Sequence, residues 1–491
     1  MSSHAVLTEC TDKAREDTLI KKIIVDENSM PTEDELRHPE AGGFVNGGYL
    51  QLSRPNFFLV PQRLSFSFQT KTHKKCSHFQ KQITRNTHTT ERAAEFLMFS
   101  AVGQAMKTKY PGKQCVVLSN GPSPTAKAHI LDNGMNIKPV RVGDGDVDLT
   151  LMEKAFAAEE PVALVLLSLP CARSAGHCLT MANLRDVYAL AHKHDTPVVF
   201  DAHRFVFNAL HILDTDPDYK GSNLRRVTAD MFKLCDAFVC IGSFPPLSTH
   251  PFCSITIVVK TQMMDTYRVA NCGAFVCFRD EGMFHKKFTL PGKDVGVVMK
   301  EMQILNYGND SYGALSGHDL LAMALGLEGL LDESAVRHAA HQATALAALL
   351  RARGVPGVLD GGYAVFVDMA AFFADVPVQP AGADDLRGLG LVTELVRLYG
   401  VRASEFGPHT FGTRGAVHPN MVRFAIPHGA YAQNHLEYVA AAVAELHRLR
   451  AHIPNMRPAP DAPAVSVALP ALTIPMEPLY PAGGPITPAS L

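Results

Sequence analysis

The strongest constraint on the fold is an alternation of apolar and amphipathic segments in the middle of the chain. Residues 161–170 and 196–202 are apolar enough to form buried strands, and residues 181–195 between them have the apolar spacing of a helix. A strand, a helix and a second strand in this order form a right-handed crossover between parallel strands. The sequence therefore predicts an α/β fold with a mostly parallel central sheet.

The second of these strands ends in an Asp-x-x-Arg motif, formed by Asp201 and Arg204. Ligands of parallel sheets bind beyond the carboxyl ends of the strands, where Asp201 falls. A carboxylate there can pair with the protonated ring nitrogen of pyridoxal phosphate, and the arginine can point a fixed donor at the phenolate oxygen of the ring. The alternative is structural, because an aspartate at a strand end often caps the next helix.

Composition favours a globular protein that acts on small molecules. The chain has 491 residues, 47% of them hydrophobic, and a formal net charge of -2. This length allows two or more domains, and this charge gives no indication of nucleic acid or an anionic membrane as a partner. The ten cysteines form no Cys-x-x-Cys pair, the N-terminus is too polar for a signal peptide, and no apolar run is long enough to span a membrane. These features predict a cytoplasmic location.

Changes in composition divide the chain into four predicted segments. Residues 1–83 form a poorly defined N-terminal region, and residues 84–312 form a large α/β domain that binds the cofactor. Residues 313–452 contain long Ala/Leu-rich helices and form a smaller C-terminal α+β domain. Residues 453–491 are rich in proline and alanine, and this tail is expected to be disordered because proline opposes both helix and sheet.

Several segments, taken in order, resemble the β-eliminating lyase family, which comprises the tryptophanases and tyrosine phenol-lyases. The matching segments are residues 87–96, 180–209, 272–284, 311–327, 361–369 and 421–435. They include two family-specific motifs, Ser-Tyr-Gly-x-Leu-x-Gly-x-Asp and Val-Arg-x-x-Ile-Pro. The resemblance implies the three-layer, aspartate aminotransferase-like fold of type I pyridoxal phosphate enzymes, assembled as a homo-oligomer that is a dimer of dimers.

The resemblance also implies roles for individual residues. Asp201 and Arg204 match the partners of the ring nitrogen and of the phenolate oxygen. Arg423 matches the arginine that binds the substrate α-carboxylate, and a guanidinium can bind a carboxylate through two hydrogen bonds. The alternative interpretation of Arg423 is a surface ion pair. Arg414 falls among residues that contact the substrate side chain. Asn271 falls near a monovalent cation site, and its alternative is an ordinary turn asparagine.

Other positions depart from the family. Where the phosphate loop supplies Gln-Gly-Arg, this chain has Thr89, Thr90 and Glu91. The two hydroxyls can donate hydrogen bonds to a phosphate, whereas the glutamate would repel it. Ser123 stands at the position of the ring-stacking aromatic, and Ala172 at that of an asparagine that donates to the phenolate oxygen. Both of these cofactor contacts are expected to be lost.

The largest departure concerns the Schiff-base lysine, which the family carries in a Ser-x-Lys-Lys-Asp segment. An ungapped alignment places this lysine at Phe244, and alignment backward from the next matching segment places it at Thr266. Residues 245–269 are therefore inserted or replaced. Lys260, the single lysine among them, is the candidate for the role, and its alternative is a solvated lysine at a strand end.

By resemblance, the protein is a pyridoxal phosphate-dependent carbon–carbon lyase whose partner is a small-molecule amino acid substrate, and it acts by β-elimination on an aromatic amino acid such as tryptophan or tyrosine. The missing lysine would also serve as the base that takes the substrate α-proton, so its loss argues for weak or no activity. Two alternatives stay open. One is a catalytically inactive pseudoenzyme of the same fold, and the other is a mispredicted gene model of an active lyase.

Overall fold

A computed structural model gives the fold of the following parts of the chain. The described residues are 91–141, 146–241, 254–258, 274–309, 329–380, 383–411, 419–426, 431–460, 476–481 and 484–486.

Helices and strands alternate through much of these ranges. The helices are α1 (Glu91–Lys109), α2 (Pro124–Asp132), α3 (Leu149–Phe156), α4 (Met181–Lys193), α5 (Phe205–Thr215), α6 (Leu224–Phe232), α7 (Met283–Phe288), α8 (Val295–Tyr307), α9 (Glu333–Ala352), α10 (Met369–Phe372), α11 (Arg387–Tyr399), α12 (Pro408–Phe411) and α13 (Gln433–Arg448). The strands are β1 (Cys115–Ser119), β2 (Met135–Pro139), β3 (Val162–Ser168), β4 (Val198–Asp201), β5 (Ala237–Ile241), β6 (Ser254–Val258), β7 (Ala274–Phe278), β8 (Val358–Asp360), β9 (Ala364–Asp368), β10 (Ser404–Phe406), β11 (Met421–Ala425), β12 (Asn455–Pro458) and β13 (Met476–Leu479).

The described residues divide into two compact units. Among the described residues, the smaller unit contains 91–105, 236–241, 254–258, 274–309 and 329–330, and the larger unit contains the others.

The larger unit contains a parallel sheet in the order β2-β1-β3-β4. β3 is buried over nearly its whole length, as expected for a parallel strand that is covered on both faces. In α4, the buried residues Leu184, Val187 and Ala191 lie on one face, and the Thr180 side chain caps the helix by accepting a hydrogen bond from the Asn183 amide at 3.2 Å. The predicted strand, helix and second strand are therefore all present in the structure.

The larger unit also contains an antiparallel sheet in the order β10-β11-β9-β8. Helices α9 and α11 contact this sheet, and α13 packs against both helices. The core between them includes Leu346, Val367, Leu391 and Val443, each fully buried. Burial of each such side chain stabilises the fold by about 1.5–3 kcal/mol relative to leaving it exposed.

The smaller unit contains three antiparallel strands in the order β5-β7-β6. Phe278, the last residue of β7, packs against Phe284 of α7 with ring centroids 5.4 Å apart, and Phe284 packs against Phe288 at 4.8 Å. The Asp294 side chain caps α8 by accepting hydrogen bonds from the first turn of that helix.

The predicted fold class is confirmed. The chain has an α/β architecture with a mostly parallel sheet, and its C-terminal part combines helices with the four-stranded antiparallel sheet of β8 to β11. The boundaries of the four predicted segments stay a prediction.

Part of the C-terminal tail is ordered, which differs from the disorder expected for residues 453–491. β12 and β13 pair with each other, and Tyr480 donates a hydrogen bond to Glu394 Oε1 at 3.1 Å. Arg397 donates to the Ile486 carbonyl oxygen at 2.7 Å, and the Ile486 side chain is buried in the core of the antiparallel sheet. Prolines are tolerated here because both strands of a two-stranded ribbon are edge strands, and a buried isoleucine holds the segment in place.

Two glycines allow a close backbone contact in the larger unit. Gly176, with φ of +85°, lies in the loop after β3, and Gly361 lies in the turn between β8 and β9. A Cβ on Gly176 would lie 2.5 Å from the Gly361 carbonyl oxygen, and a Cβ on Gly361 would lie 2.5 Å from the Ala175 carbonyl oxygen. Only residues without a side chain permit this approach.

Gly361→Ala is expected to lower the free energy of unfolding by about 1–3 kcal/mol, the usual cost of overpacking. The new methyl group would also lie 2.7 Å from Phe366 Cε2. Urea unfolding followed by circular dichroism measures the change. Gly329→Ala is the matched control, because no atom of the described residues lies within 4 Å of a Cβ built there. Equal losses in the two variants would contradict the steric argument.

Candidate active site

The carboxylate of Asp201, the last residue of β4, lies at the centre of the candidate site. Asp201 pairs in register with Ser168, the last residue of β3, and Ser168 Oγ lies 3.2 Å from Asp201 Oδ2. On the other side, His203 Nδ1 contacts Asp201 Oδ1. All three residues are buried. The carboxyl end of the parallel sheet therefore presents a carboxylate that is held from two sides, where α/β folds bind ligands.

Asp201 is held in its ionised form. Burial by itself would raise the pKa of this carboxyl. The charge and hydrogen bond of His203, the charge of Arg204 and the hydrogen bond of Ser168 outweigh the burial and keep the pKa below its ordinary value. An ionised carboxylate is the partner that a protonated pyridine nitrogen requires.

Asp201 is not the N-cap residue of the next helix. α5 begins after Arg204, which is its N-cap residue and makes no side-chain capping bond. Within the described ranges, the Asp201 carboxylate contacts Ser168 and His203 instead.

Arg204 lies against Tyr363, which belongs to the turn between β8 and β9. The Arg204 Cζ is 4.7 Å from the centroid of the Tyr363 ring, and this tyrosine is only 1% exposed. The Arg204 Nε is buried and has no hydrogen-bond partner in the part of the chain that the structure describes. Because an unsatisfied buried donor costs about 1–3 kcal/mol, an acceptor oxygen bound beside this atom would stabilise it.

Arg423 is half-buried in β11, opposite Phe366 of β9. Its Cζ lies 5.2 Å from the centroid of the Phe406 ring. Burial raises the pKa of the Tyr363 hydroxyl, and the positive charges of Arg204 and Arg423 oppose that shift. Two of the arginines that the sequence singles out, Arg204 and Arg423, are thus brought to the same tyrosine.

The loop after β1 fixes the end of β3. Asn120 accepts a hydrogen bond from the Ser168 amide at 2.8 Å and donates one to the Ser168 carbonyl oxygen at 3.1 Å. The Ser168 Oγ also lies 3.0 Å from the Gly121 carbonyl oxygen. Its single proton can be donated either to Gly121 or to Asp201.

The positions at which two cofactor contacts are expected to be lost have local structural roles. Ser123 caps α2, and its Oγ accepts a hydrogen bond from the Ala126 amide at 3.0 Å. Ala172 begins the short 3-10 turn Ala172–Ser174.

Sequence reasoning missed several residues of the site. His203 occupies a variable position inside the Asp-x-x-Arg motif, and Ser168 could have been found by pairing the ends of the two predicted strands. No sequence pattern marks the three aromatic residues near the arginines, because only tertiary structure brings these distant residues together. They are Tyr363, Phe406 and Phe411.

The remaining predicted residues lie outside the described ranges. They are Thr89, Thr90, Lys260, Asn271 and Arg414. Their roles in binding the phosphate, linking the cofactor, binding a monovalent cation and contacting the substrate stay predictions.

Within the described ranges, no group of three or more His, Cys, Asp or Glu side chains is placed to hold a metal ion. Likewise, none of the helices described above is long and apolar enough to cross a membrane.

Comparison with known proteins identifies the family to which the chain is related. The beta-eliminating lyase family model matches residues 77–442. A probable tryptophanase of Aeropyrum pernix is 30% identical over 308 residues, which cover 62% of this chain and 58% of the relative, less than two thirds of its length. A tyrosine phenol-lyase of Pasteurella multocida is 27% identical over 352 residues, which cover 68% of each chain. A solved structure, ureidoglycine-glyoxylate aminotransferase of Bacillus subtilis, covers 78% of this chain and 82% of its own at 14% identity, with a TM-score of 0.46.

The fold is an α/β fold with a mostly parallel sheet, and the buried carboxylate of the site lies at the carboxyl end of its strands. Within this class, the chain belongs to the β-eliminating lyase family.

The described residues fit the ring of pyridoxal phosphate, the cofactor of this family. The buried, ionised Asp201 suits the protonated ring nitrogen, and the unsatisfied Nε of Arg204 suits an oxygen substituent on the ring. The guanidinium of Arg423 suits a carboxylate. The donor set therefore matches the ring end of the cofactor and a bound amino acid.

Tyr363→Ala is expected to lower the free energy of unfolding by about 3–5 kcal/mol, because it removes a fully buried ring. Tyr363→Phe keeps the ring against Arg204 and is expected to cost no more than about 1.5 kcal/mol. Urea unfolding of both variants measures this difference. Similar losses in the two variants would show that the hydroxyl, rather than the ring, holds this part of the site.

Proposed function

We propose that the protein is a pyridoxal phosphate-dependent lyase that removes the β-substituent of an amino acid. The observation that carries the proposal is the buried carboxylate of Asp201, kept ionised at the carboxyl end of a parallel sheet. Family membership supports the reaction class. The finer assignment, an aromatic amino acid such as tryptophan or tyrosine, is supported by the relatives that are a probable tryptophanase and a tyrosine phenol-lyase.

Asp201 has the central role in this proposal. When bound, pyridoxal phosphate withdraws electrons from the bonds at the substrate α-carbon, provided that its ring nitrogen is protonated. Asp201 accepts a hydrogen bond from that nitrogen and stabilises its proton. Ser168 and His203 hold the carboxylate in position from either side.

The two arginines orient the ring and the substrate. Arg204 supplies a permanently charged donor to the ring oxygen, and the buried Tyr363 ring beneath it limits its movement. Arg423 binds the substrate α-carboxylate, and its guanidinium packs over the ring of Phe406. Because Tyr363 adjoins both arginines, the substrate carboxylate and the ring are held by one packed cluster.

Residues outside the described ranges complete the proposal. Thr89 and Thr90 donate hydrogen bonds to the cofactor phosphate, Lys260 links the cofactor covalently, and Arg414 contacts the substrate side chain. We also propose, from the family resemblance, that the protein is cytoplasmic, that it assembles as a dimer of dimers and that it uses a monovalent cation.

Asp201→Asn is expected to weaken pyridoxal phosphate binding about ten- to a hundred-fold, because a hydrogen bond to a charged group contributes about 1.5–3 kcal/mol. The amide cannot balance the charge of a protonated ring nitrogen. Equilibrium dialysis against pyridoxal phosphate measures affinity, and an assay coupled to pyruvate formation measures activity.

Asp186→Asn is the matched control for this experiment, because Asp186 is an exposed residue of α4. It is expected to bind the cofactor and form pyruvate as the unsubstituted protein does. Unchanged cofactor affinity in Asp201→Asn would remove the basis of the proposed function.

Borohydride reduction of the protein with pyridoxal phosphate is expected to fix the cofactor to one peptide, the one that contains Lys260. Lys260→Ala should abolish the adduct. Lys233→Ala should leave it intact, because Lys233 pairs with Asp230 on the surface of the larger unit. Mass spectrometry of the digested protein identifies the peptide. The absence of any lysine adduct would contradict covalent attachment and would favour an inactive homologue.

A further inference from the structure

The short helix α12 is held at both ends by charged side chains. At its beginning, Glu405 Oε1 accepts a hydrogen bond from the His409 amide at 3.1 Å, and Glu405 Oε2 accepts one from the Thr410 amide at 2.9 Å. At its end, Lys127 Nζ donates a hydrogen bond to the Phe411 carbonyl oxygen at 3.0 Å. We call Glu405 and Lys127 the α12 clamp.

The position of α12 depends on this clamp. The helix has four residues, and a helix of one turn has no stability of its own because its nucleation is unfavourable. The carboxylate accepts from two amides, and the ammonium donates to a carbonyl oxygen, which a single turn leaves without helical partners. Glu405 is buried, so its hydrogen bonds form in surroundings of low dielectric constant, where they are stronger than in water.

The clamp fixes the ring of Phe411, the last residue of α12. The Phe411 ring packs edge to face on the ring of Phe406, with centroids 4.9 Å apart. Phe406 also packs edge to face on Phe366 of β9, at 6.1 Å. Because edge-to-face contacts are favourable at these distances, the two neighbours restrict the orientation of the Phe406 ring.

The Phe406 ring is the surface on which Arg423 lies. The Arg423 Cζ is 5.2 Å from the ring centroid, which is within the range of a cation–π contact. A long side chain loses rotamer freedom when it binds a ligand, and a side chain already held against a fixed ring loses less. Contacts therefore run without interruption from the α12 clamp through two rings to Arg423.

The charge of Lys127 is costly at its position. Burial, and then the charge of Arg173, lower the pKa of Lys127, so its charged form is disfavoured there. Replacement of the ammonium by an apolar group of similar length relieves this cost while it removes the hydrogen bond to α12. Such a variant is expected to fold, and it separates the positioning of α12 from the stability of the protein.

We propose that Lys127 and Glu405 are positioning residues, which act through α12 and the two phenylalanine rings to hold Arg423 in the orientation that binds the substrate α-carboxylate. The inference rests on the proposed function in one respect, namely that Arg423 binds this carboxylate. The clamp itself does not contact the substrate. It reduces the rotamer freedom that Arg423 loses on binding.

Equilibrium binding of L-phenylalanine and 2-phenylethylamine tests this inference. The full-length protein is loaded with pyridoxal phosphate and freed of excess cofactor. The two ligands differ only in the α-carboxylate, and phenylalanine is not consumed because its phenyl group is a poor leaving group. The unsubstituted protein is expected to bind phenylalanine about ten- to a hundred-fold more tightly, through charge-assisted hydrogen bonds from Arg423.

Both clamp variants are expected to reduce this preference for phenylalanine. Lys127→Met should reduce it about three- to ten-fold, the effect of immobilising one additional long side chain on binding. Glu405→Gln should reduce it as well, because one of the two acceptor oxygens becomes a donor. A clamp that only stabilised the fold would change the affinity for both ligands alike, and the ratio of the two affinities would stay constant.

Lys127→Arg and Lys138→Met are the matched controls. Arginine can also donate to the Phe411 carbonyl oxygen, and Lys138 of β2 pairs with Glu160. Both variants should keep the preference for phenylalanine. Circular dichroism identifies any variant that fails to fold, and one folded variant of the clamp suffices for the test.

Two outcomes would overturn the inference. One is no preference for phenylalanine in the unsubstituted protein, including no binding of either ligand. The other is an unchanged preference in a clamp variant that folds. Arg423→Gln separates the inference from the proposed function, because loss of the preference in this variant alone would contradict only the inference. Absence of pyruvate formation would contradict the lyase reaction and would leave the ratio of the two affinities interpretable.

Discussion

A carboxylate that stays ionised inside the protein is the constraint on which the rest of the site depends. An isolated charge in an apolar interior is too costly to persist without partners. Asp201 persists because Ser168 and His203 contact its two oxygens and Arg204 adds a positive charge. These partners come from the end of β3 and from the loop before α5. Since neighbouring residues of a strand point to opposite faces of a sheet, a slip of one residue between β3 and β4 would separate the carboxylate from Ser168, whereas His203 and Arg204 would move with Asp201.

Tyr363 makes the two proposed ligand-binding arginines depend on each other. Its buried ring lies beneath Arg204, and the charge of Arg423 acts on its hydroxyl. The turn that carries this tyrosine is fixed by the backbone contact between Gly176 and Gly361. The orientation of a bound ring and that of a substrate carboxylate are therefore not independent, because both depend on how closely these two loops approach.

Local patterns carried most of the information that could be extracted from the sequence. The helix expected at residues 181–195 is found at Met181–Lys193, and the strand ending at Asp201 is found as expected, because apolar spacing determines both locally. The contact between Arg204 and Tyr363 could not be predicted, because their approach depends on packing between distant parts of the chain. His203 was visible in the motif, but its contact with Asp201 depends on backbone geometry that a spacing rule does not encode.

The proline-rich C-terminal segment has a consequence for how the protein can be shortened. Glu394 is completely buried in α11, and its partners are Arg397 and Tyr480. Arg397 also binds the Ile486 carbonyl oxygen, and the Ile486 side chain fills part of the core. A recombinant fragment that ends after α13 would leave a buried acid with one donor fewer and a cavity where the isoleucine packs. Ile486 thus belongs to the hydrophobic interior, although the composition of the segment around it resembles that of a linker.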